Sequence, residues 1–278
     1  MFLKVAVSSL LSRKGSAVMT LMAISVAIFV LLGIEQIRQQ ARDSFASTVS
    51  GVDLIVGAKT GSLNLLLYSV FRIGSPTDNI SWQAYRDIAD SDDVAWAIPI
   101  SLGDSHEGYR VVGTTQAFFE HFSFGKKRSL AFFEGEAFEG TFDAVLGSEV
   151  ASALGYSVGT EIILAHGLAS TSFTKHDNQP FVVVGVLAPT GTPVDQTIHV
   201  RLEGIEAMHA GGSTVPIGAF APANAPETDF SEPESITAFM LGLKSRMSTF
   251  NVQRQINQFA GEPLMAILPG VALSELWQ

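Results

Sequence analysis

The pattern of hydrophobic positions begins with twenty consecutive residues without a charge, from Gly15 to Ile34. As a helix this run is roughly 30 Å long, which matches the hydrocarbon thickness of a bilayer. Since backbone amides in lipid must be satisfied within the segment, we predict a transmembrane helix. A buried core helix would be shorter or carry a polar stripe. A cleavable signal peptide would have a shorter apolar region and small residues at its exit, whereas this exit reads Gly33-Ile34-Glu35-Gln36-Ile37.

The charges that flank this run indicate its orientation. Lys4, Arg13 and Lys14 precede it without a nearby acid, so we expect the N-terminus in the cytoplasm and residues 35–278 in the periplasm or otherwise outside a bacterial inner membrane. Residues 1–14 are expected to form a cytoplasmic amphipathic segment in contact with membrane lipid, or simply a basic flank.

Beyond the membrane the helical spacing of apolar residues continues over residues 35–50, and Gly51 is a natural stop. We predict a stalk helix that carries mechanical coupling. Its narrow apolar seam needs a partner, either a second stalk helix or the underside of the domain, and this favours a dimer. The residues assigned to the stalk are Glu35, Ile37, Arg38, Ala41, Arg42, Phe45 and Val49.

After the stalk the hydrophobic period changes repeatedly, which predicts an α+β fold. Residues 51–124 and 225–268 read as two parts of one periplasmic porter-like α+β lobe. Residues 125–224, rich in glycine turns and short strands, read as an inserted small β-rich subdomain. Residues 269–278 are predicted to start a stalk towards a second membrane helix, which the chain does not contain.

Within the domain, several elements have specific signals. Ser81 is a good N-cap for a helix that runs to Ala89. Two strands, Val94–Ser101 and Tyr109–Val112, are predicted to be joined by a polar hairpin. A short apolar strand over Val52–Val56 is expected to end at Gly57, and Ser148–Leu154 reads as a short helix.

Composition narrows the classes of function. The formal net charge is -10, and the excess of acid lies entirely beyond the first forty residues. An acidic domain is repelled by phosphates, so nucleic-acid binding is excluded. The chain has no cysteine, which excludes disulfides and thiolate metal sites.

Motifs for catalysis are missing from the sequence. The run Gly125-Lys126-Lys127-Arg128-Ser129 lacks the upstream glycine and the Ser/Thr after the lysine that a P-loop requires. His106-Glu107 is not followed by the second histidine of a zinc-protease motif, and no nucleophile elbow is present. We therefore expect no enzymatic activity and no resident cofactor in this chain.

The histidines are distributed unevenly. Four of the six lie between residues 166 and 209: His166, His176, His199 and His209. His166 and His176 flank a loop whose strands would bring them together across a hairpin. With carboxylates such as Asp177 and Asp195 they are candidate zinc ligands. The alternative is that they are solvated loop histidines, because no tight ligand spacing is present.

Three blocks in this order resemble a known family. They are Gly51-Val52-Asp53-Leu54-Ile55-Val56-Gly57; Val145-Leu146-Gly147-Ser148-Glu149-Val150-Ala151 with Ala153-Leu154-Gly155 and Val158-Gly159; and Phe181-Val182-Val183-Val184-Gly185-Val186-Leu187 with Thr190-Gly191-Thr192-Pro193-Val194-Asp195. Behind an N-terminal membrane helix they resemble the permease subunits of type VII ABC transporters, the MacB, LolC/LolE and FtsX-like group. Read physically, the glycines in these blocks have structural roles, with Gly147 at a turn and Gly155 after a helix end.

The resemblance implies a permease subunit that couples ATP hydrolysis in a separate ATPase subunit to movement of a periplasmic domain. Its cargo would be a lipoprotein, a peptide, an amphiphile or metal-linked cargo. Implied partners are the ATPase, a second copy or a paralogous permease, and a periplasmic substrate-binding or adaptor protein. Such permeases have four membrane helices, so one helix predicts a fragment. The alternative is a membrane-anchored sensor or ligand-binding module without an ATPase.

Overall fold

The computed structural model describes residues 12–166, 180–211 and 232–276. The chain separates into two compact units, Met1–Ala46 and Ser47–Gln278. From Lys14 onward the first unit is a single long helix, and the second unit contains every strand of the described residues. The architecture is mixed α+β, as the changing hydrophobic period predicts.

The first helix is long and the others are short. They are α1 (Lys14–Ser47), α2 (Ser62–Leu66), α3 (Trp82–Ala89), α4 (Ala117–His121), α5 (Ser148–Leu154), α6 (Leu202–Gly211), α7 (Thr249–Asn257) and α8 (Pro269–Leu276). A π-helical segment, Leu67–Phe71, continues α2, and 3₁₀ turns cover Pro193–Gln196 and Arg246–Ser248.

The strands of the described residues number fifteen. They are β1 (Leu54–Ala58), β2 (Ile80–Ser81), β3 (Val94–His106), β4 (Tyr109–Thr114), β5 (Ser123–Phe124), β6 (Arg128–Ser129), β7 (Phe132–Gly135), β8 (Asp143–Leu146), β9 (Glu161–Ile162), β10 (Ala165–His166), β11 (Phe181–Leu187), β12 (Thr197–Arg201), β13 (Ser235–Ile236), β14 (Ala238–Leu243) and β15 (Leu264–Ile267).

One eleven-stranded sheet organises the domain, in the order β15-β1-β14-β3-β4-β12-β8-β11-β7, with β10 added on β3 and β9 on β11. Strand β3 belongs to both halves of this sheet. Its first part pairs with β14, from Val94 opposite Leu243 to Ile100 opposite Ala238, and its second part pairs with β4. The long strand β3 therefore joins the two halves of the domain.

The prediction that a polar hairpin begins after Ser101 is wrong. Strand β3 continues to His106, and the turn is confined to Glu107 and Gly108, both with positive φ. The reason is a second partner strand, since Ser105 pairs with Ala165 of β10. A sequence window around residues 103–106 holds no sign of that distant strand.

The first strand of the domain pairs with its last two long strands in the first half of the sheet. Strand β1 lies between β14 and β15 and is antiparallel to both. The prediction that Gly57 ends this strand is wrong, because Gly57 pairs with Ala238 inside it. A Cβ at Gly57 would lie 2.7 Å from Leu65 Cδ1 and 2.8 Å from Tyr68 Oη, so glycine here permits close packing rather than a turn.

The segment predicted to form an inserted subdomain contributes strands to the same sheet. Strand β12 runs parallel to β4, with Thr197 opposite Arg110, and antiparallel to β8, with His199 opposite Val145. Strands that precede residue 125, the predicted start of the subdomain, are thus hydrogen-bonded in one sheet to strands that follow it. The short helix predicted over Ser148–Leu154 is present as α5, whereas α6 is a helix that the sequence pattern does not predict.

Two hydrophobic clusters pack against this sheet. The first is formed by β1, α3, β14, α7 and β15 and includes Leu54, Ile88, Phe239 and Ile256. The second is formed by β8, α5, β11, β12 and α6, with Leu146 and Phe181 among its buried members. At 0% exposure these two side chains anchor the second half of the sheet.

Candidate functional site

The apolar helix is the first candidate feature. Helix α1 spans 34 residues, and Lys14–Gln40 is long and apolar enough to cross a membrane. The most apolar window of that stretch is 0% buried within the chain, which argues against a buried core helix. Its apolar surface is left free to face lipid.

The predicted stalk residues lie on this helix or directly after it. Glu35 forms an ion pair with Arg38 at 3.0 Å, one turn apart, and Ile37 is 69% exposed. Val49 is half-buried and follows the end of the helix. The side chains of Ala41, Arg42 and Phe45 lie outside the described residues.

The segment that follows the helix is anchored in the domain. Thr48 is buried, and the Ser50 amide donates a hydrogen bond of 2.9 Å to the Ser123 carbonyl. The Ser123 hydroxyl donates in turn to the Ser50 carbonyl. Two residues, Thr48 and Val49, separate the last helical residue from this anchor. Ser123 carried no recognisable signal in the sequence.

The predicted zinc pair is only partly within the described chain. The backbone of His166 lies opposite Asp104 in the β10–β3 register, and His176 lies outside the described residues. Strand β9 precedes the two histidines in the chain and β11 follows them. These two strands are paired, with Ile162 opposite Phe181. Within the described ranges, no group of three His, Asp or Glu side chains could hold a metal ion.

Asp195, considered above as a zinc partner, has another role. Its buried carboxylate accepts hydrogen bonds from the Thr190 amide at 2.9 Å, the Gly191 amide at 2.7 Å and the Thr190 hydroxyl at 2.8 Å. These bonds fix the turn after β11, which is the structural role predicted for this block. Asp195 therefore has a turn-forming role, and its part in a zinc site stays a prediction.

Gly147, in the second family-like block, supports the same turn. A Cβ at Gly147 would lie 2.2 Å from the Val194 carbonyl oxygen and 2.4 Å from that of Asp195. Gly155 adopts φ +70 at the end of α5, as expected for a residue after a helix C-terminus. These two glycines thus serve close packing and a helix end.

His106 and His199 are both buried inside the domain. His106 donates through Nδ1 to the Ile163 carbonyl at 2.7 Å, and its Nε2 lies 3.1 Å from the Tyr156 hydroxyl. Since a carbonyl only accepts, Nε2 of the neutral ring accepts from Tyr156. Both nitrogens of His106 are occupied in this way.

His199 on β12 is completely buried. Its ring stacks on Phe118 of α4 with centroids 4.7 Å apart. The pKa of His199 is lowered to about 3. Burial is the largest cause and the charge of Arg72 the next, while the backbone of Val145 raises the pKa. The imidazole is therefore neutral at physiological pH, and it acts as an aromatic core residue.

An apolar hollow of about 330 Å³ lies beside β11 and α5. Its apolar lining residues include Phe133, Tyr156, Val186, Leu187 and Pro189. Phe133 is 77% exposed at its rim. Its volume is at the small end of ligand pockets, and its lining suits an apolar group rather than a charged one.

The fold has relatives among known proteins. The periplasmic region of MacB from Actinobacillus actinomycetemcomitans aligns with a TM-score of 0.51 and 8% identity, over 83% of this chain and 95% of that one. The extracellular domain of the ABC-type transporter YknZ from Gram-positive bacteria aligns with a TM-score of 0.45 and 10% identity, over 78% of this chain and 98% of that one. No curated protein matches the chain in sequence.

A sequence-family model agrees with the structural likeness. The model of the MacB-like periplasmic core domain matches residues 17–259, which includes most of α1 and the domain through α7. The match confirms the resemblance drawn from the three sequence blocks, and the MacB likeness confirms the fold. The chain belongs to the MacB-like periplasmic core domain family of ABC transporter permeases.

Proposed function

We propose that this chain is the outward part of an ABC permease that couples ATP hydrolysis in a separate cytoplasmic subunit to movement of its periplasmic domain. The movement would export or release a cargo such as a lipoprotein, a peptide, an amphiphile or metal-linked cargo. Helix α1 would be the lever between the membrane and the domain. Family membership favours this function over an anchored sensor without an ATPase.

The observation that carries the proposal is the extent of the family match. It begins at residue 17, inside the apolar helix, and ends at residue 259, so helix and domain belong to one family unit. The unbroken helix from Lys14 to Ser47 and the Ser50–Ser123 anchor behind it support a mechanical link. Because only two residues separate the helix from this anchor, a movement of the helix would be transmitted directly to the first residues of the domain.

The assembly around this chain is part of the same proposal. An ATPase subunit would bind on the cytoplasmic side, and a second copy or a paralogous permease would complete a dimer through the stalk. Membrane lipid would surround α1 in the bacterial inner membrane. A periplasmic substrate-binding or adaptor protein would exchange cargo with the domain.

The orientation can be tested because the chain has no cysteine. Single-cysteine variants Ser12→Cys and Met247→Cys place one thiol before the apolar run and one on the domain, where Met247 is 93% exposed. With a membrane-impermeant maleimide, intact spheroplasts should label Met247→Cys and not Ser12→Cys. Lysed membranes should label both. Labelling of Ser12→Cys alone in intact spheroplasts would overturn the orientation.

Coupling to an ATPase is tested on the intact transporter in its own membranes. The affinity-tagged membrane protein should co-purify with vanadate-sensitive ATP hydrolysis, and a tagged unrelated single-span protein is the control. An eluate with no ATP hydrolysis above that control would contradict the proposed function and favour the sensor alternative.

A further inference from the structure

Two arginines from distant parts of the sequence meet at one hollow. Arg72 follows the π-helical segment after α2, and Arg110 lies on β4 opposite Thr197. The hollow has a volume of about 310 Å³. Besides the two arginines, its lining includes Pro193, Gln196 and Thr197.

Both guanidinium groups are held by backbone carbonyls. Arg72 donates through Nη1 to the Ser69 carbonyl, and Arg110 donates through Nη2 to the Gly74 carbonyl. Both residues are half-buried. Arg72 also has φ +60, a backbone conformation that residues other than glycine rarely adopt. The two cations are thus positioned by the surrounding structure.

Arg72 and Arg110 combine partial burial with the lack of an ion pair among the described residues. The other described arginines without an ion pair, Arg13, Arg128, Arg246 and Arg254, are exposed. Arg38, Arg86 and Arg201 each form an ion pair with a glutamate. The ion pairs of the described residues include none for Arg72 or Arg110, although the chain has a net charge of -10. Neither cation is therefore neutralised by a carboxylate of the described residues.

The polar neighbours of the hollow already have partners. Gln196 donates to the Glu149 carboxylate at 3.0 Å, and the Thr197 hydroxyl donates to the Pro193 carbonyl at 2.8 Å. The arginines are therefore the charged donors of the hollow that remain to be neutralised.

Electrostatics supports this view. Burial, and then the charge of Arg110, lower the pKa of Arg72 to about 9, and burial lowers the pKa of Arg110. Both groups are still cationic at neutral pH, so two like charges share a partly desolvated site. A bound anion would remove this repulsion, and a guanidinium is suited to bind carboxylate or phosphate oxygens in pairs.

We propose that the hollow between Arg72 and Arg110 is a binding site for the carboxylate or phosphate group of a small ligand outside the membrane. Its volume is enough for an anionic group together with a few further atoms. Such a site is independent of the coupling mechanism proposed above.

The test is isothermal titration calorimetry of the 278-residue chain in detergent. Sodium phosphate and sodium succinate are titrated separately at constant ionic strength, so that the two arms distinguish a phosphate from a carboxylate ligand. The wild-type chain should bind at least one of them. Arg72→Gly and Arg110→Gln should each weaken that binding by about tenfold or more, as expected when a charge-assisted pair is lost.

The variants are chosen to keep the fold intact. Glycine accepts φ +60, so Arg72→Gly removes the charge without straining the backbone, and its melting curve in the absence of anion checks that the variant is folded. Arg86→Gln, which removes an exposed and paired arginine, is the matched control and should bind as the wild type does. Unchanged affinity in both pocket variants, or no binding of either anion by the wild type, would overturn the proposal.

Discussion

The hydroxyl of Thr237 accepts a hydrogen bond of 3.0 Å from the backbone amide of Leu102. The bond lies where β3 leaves β14 and begins to pair with β4. At that point the regular ladder leaves the Leu102 amide without a strand partner, and the buried threonine supplies one. A side chain thus adds a hydrogen bond to β3 at the point where its strand partner changes.

Replacement of Thr237 by valine should destabilise the domain. Valine fills the same space but leaves the Leu102 amide buried without an acceptor, which costs about 1–3 kcal/mol. Urea unfolding followed by tryptophan fluorescence measures the difference. Thr237→Ser keeps the hydroxyl and should lose less stability than Thr237→Val; equal losses would show that the hydrogen bond is unimportant.

His199 makes stability depend on pH. Its folded-state pKa of about 3 lies below the ordinary 6.5, so the unfolded chain binds more protons between these values. The stabilising contribution is complete above pH 6.5 and is lost as the pH falls towards 3. Between pH 7 and pH 5 the loss should be about 2 kcal/mol.

The variant His199→Phe should remove this part of the pH dependence, because phenylalanine can stack on Phe118 without titrating. Unfolding free energies at pH 7 and pH 5 measure the slope. His121→Asn, which removes a partly exposed imidazole, is the control and should keep it. An unchanged slope in His199→Phe would mean that other groups cause the acid sensitivity.

Gly147 should not tolerate even a methyl group. The added Cβ would meet the carbonyl oxygens of Val194 and Asp195, which are backbone atoms in a fixed turn. We expect Gly147→Ala to lose about 1–3 kcal/mol from overpacking. Gly103→Ala is the matched control, since nothing lies within 4 Å of its Cβ position. Thermal melts that give equal losses for the two variants would contradict the close approach.

The zinc site predicted from the sequence remains a prediction. If His166 and His176 bind zinc, the melting temperature of the wild-type chain should rise on addition of zinc, and the rise should be lost in His166→Ala/His176→Ala. His121→Ala is the control for non-specific binding by a partly exposed histidine. The absence of any zinc-dependent shift in the wild type would end the hypothesis.

The sequence predicts best those features that depend on neighbouring residues. Ser81 accepts a hydrogen bond from the Ala84 amide at 3.2 Å as the N-cap of α3, and Gly155 ends α5 with positive φ. The apolar length of α1 likewise needs no distant partner. In each case the chemistry that decides the element lies within a few residues of it.

Features that need distant strands were not predictable in this way. Gly57 has the composition of a turn, yet Leu65 and Tyr68 pack over it within a strand. Arg72 and Arg110 are separated by a helix and two strands along the chain, and no motif links them. Only the fold brings these two arginines to one hollow.

The most direct test of the coupling follows the domain in different nucleotide states. In the intact transporter, spin labels on Met247→Cys should report an inter-subunit distance that differs between the nucleotide-free and the vanadate-trapped state. A flexible Gly/Ser linker inserted between Ser47 and Thr48 should abolish that difference, whereas the same linker in the surface turn at Lys126–Lys127 should not. Distances that change equally with and without the linker after Ser47, or that do not change at all, would contradict the role of α1 as a lever.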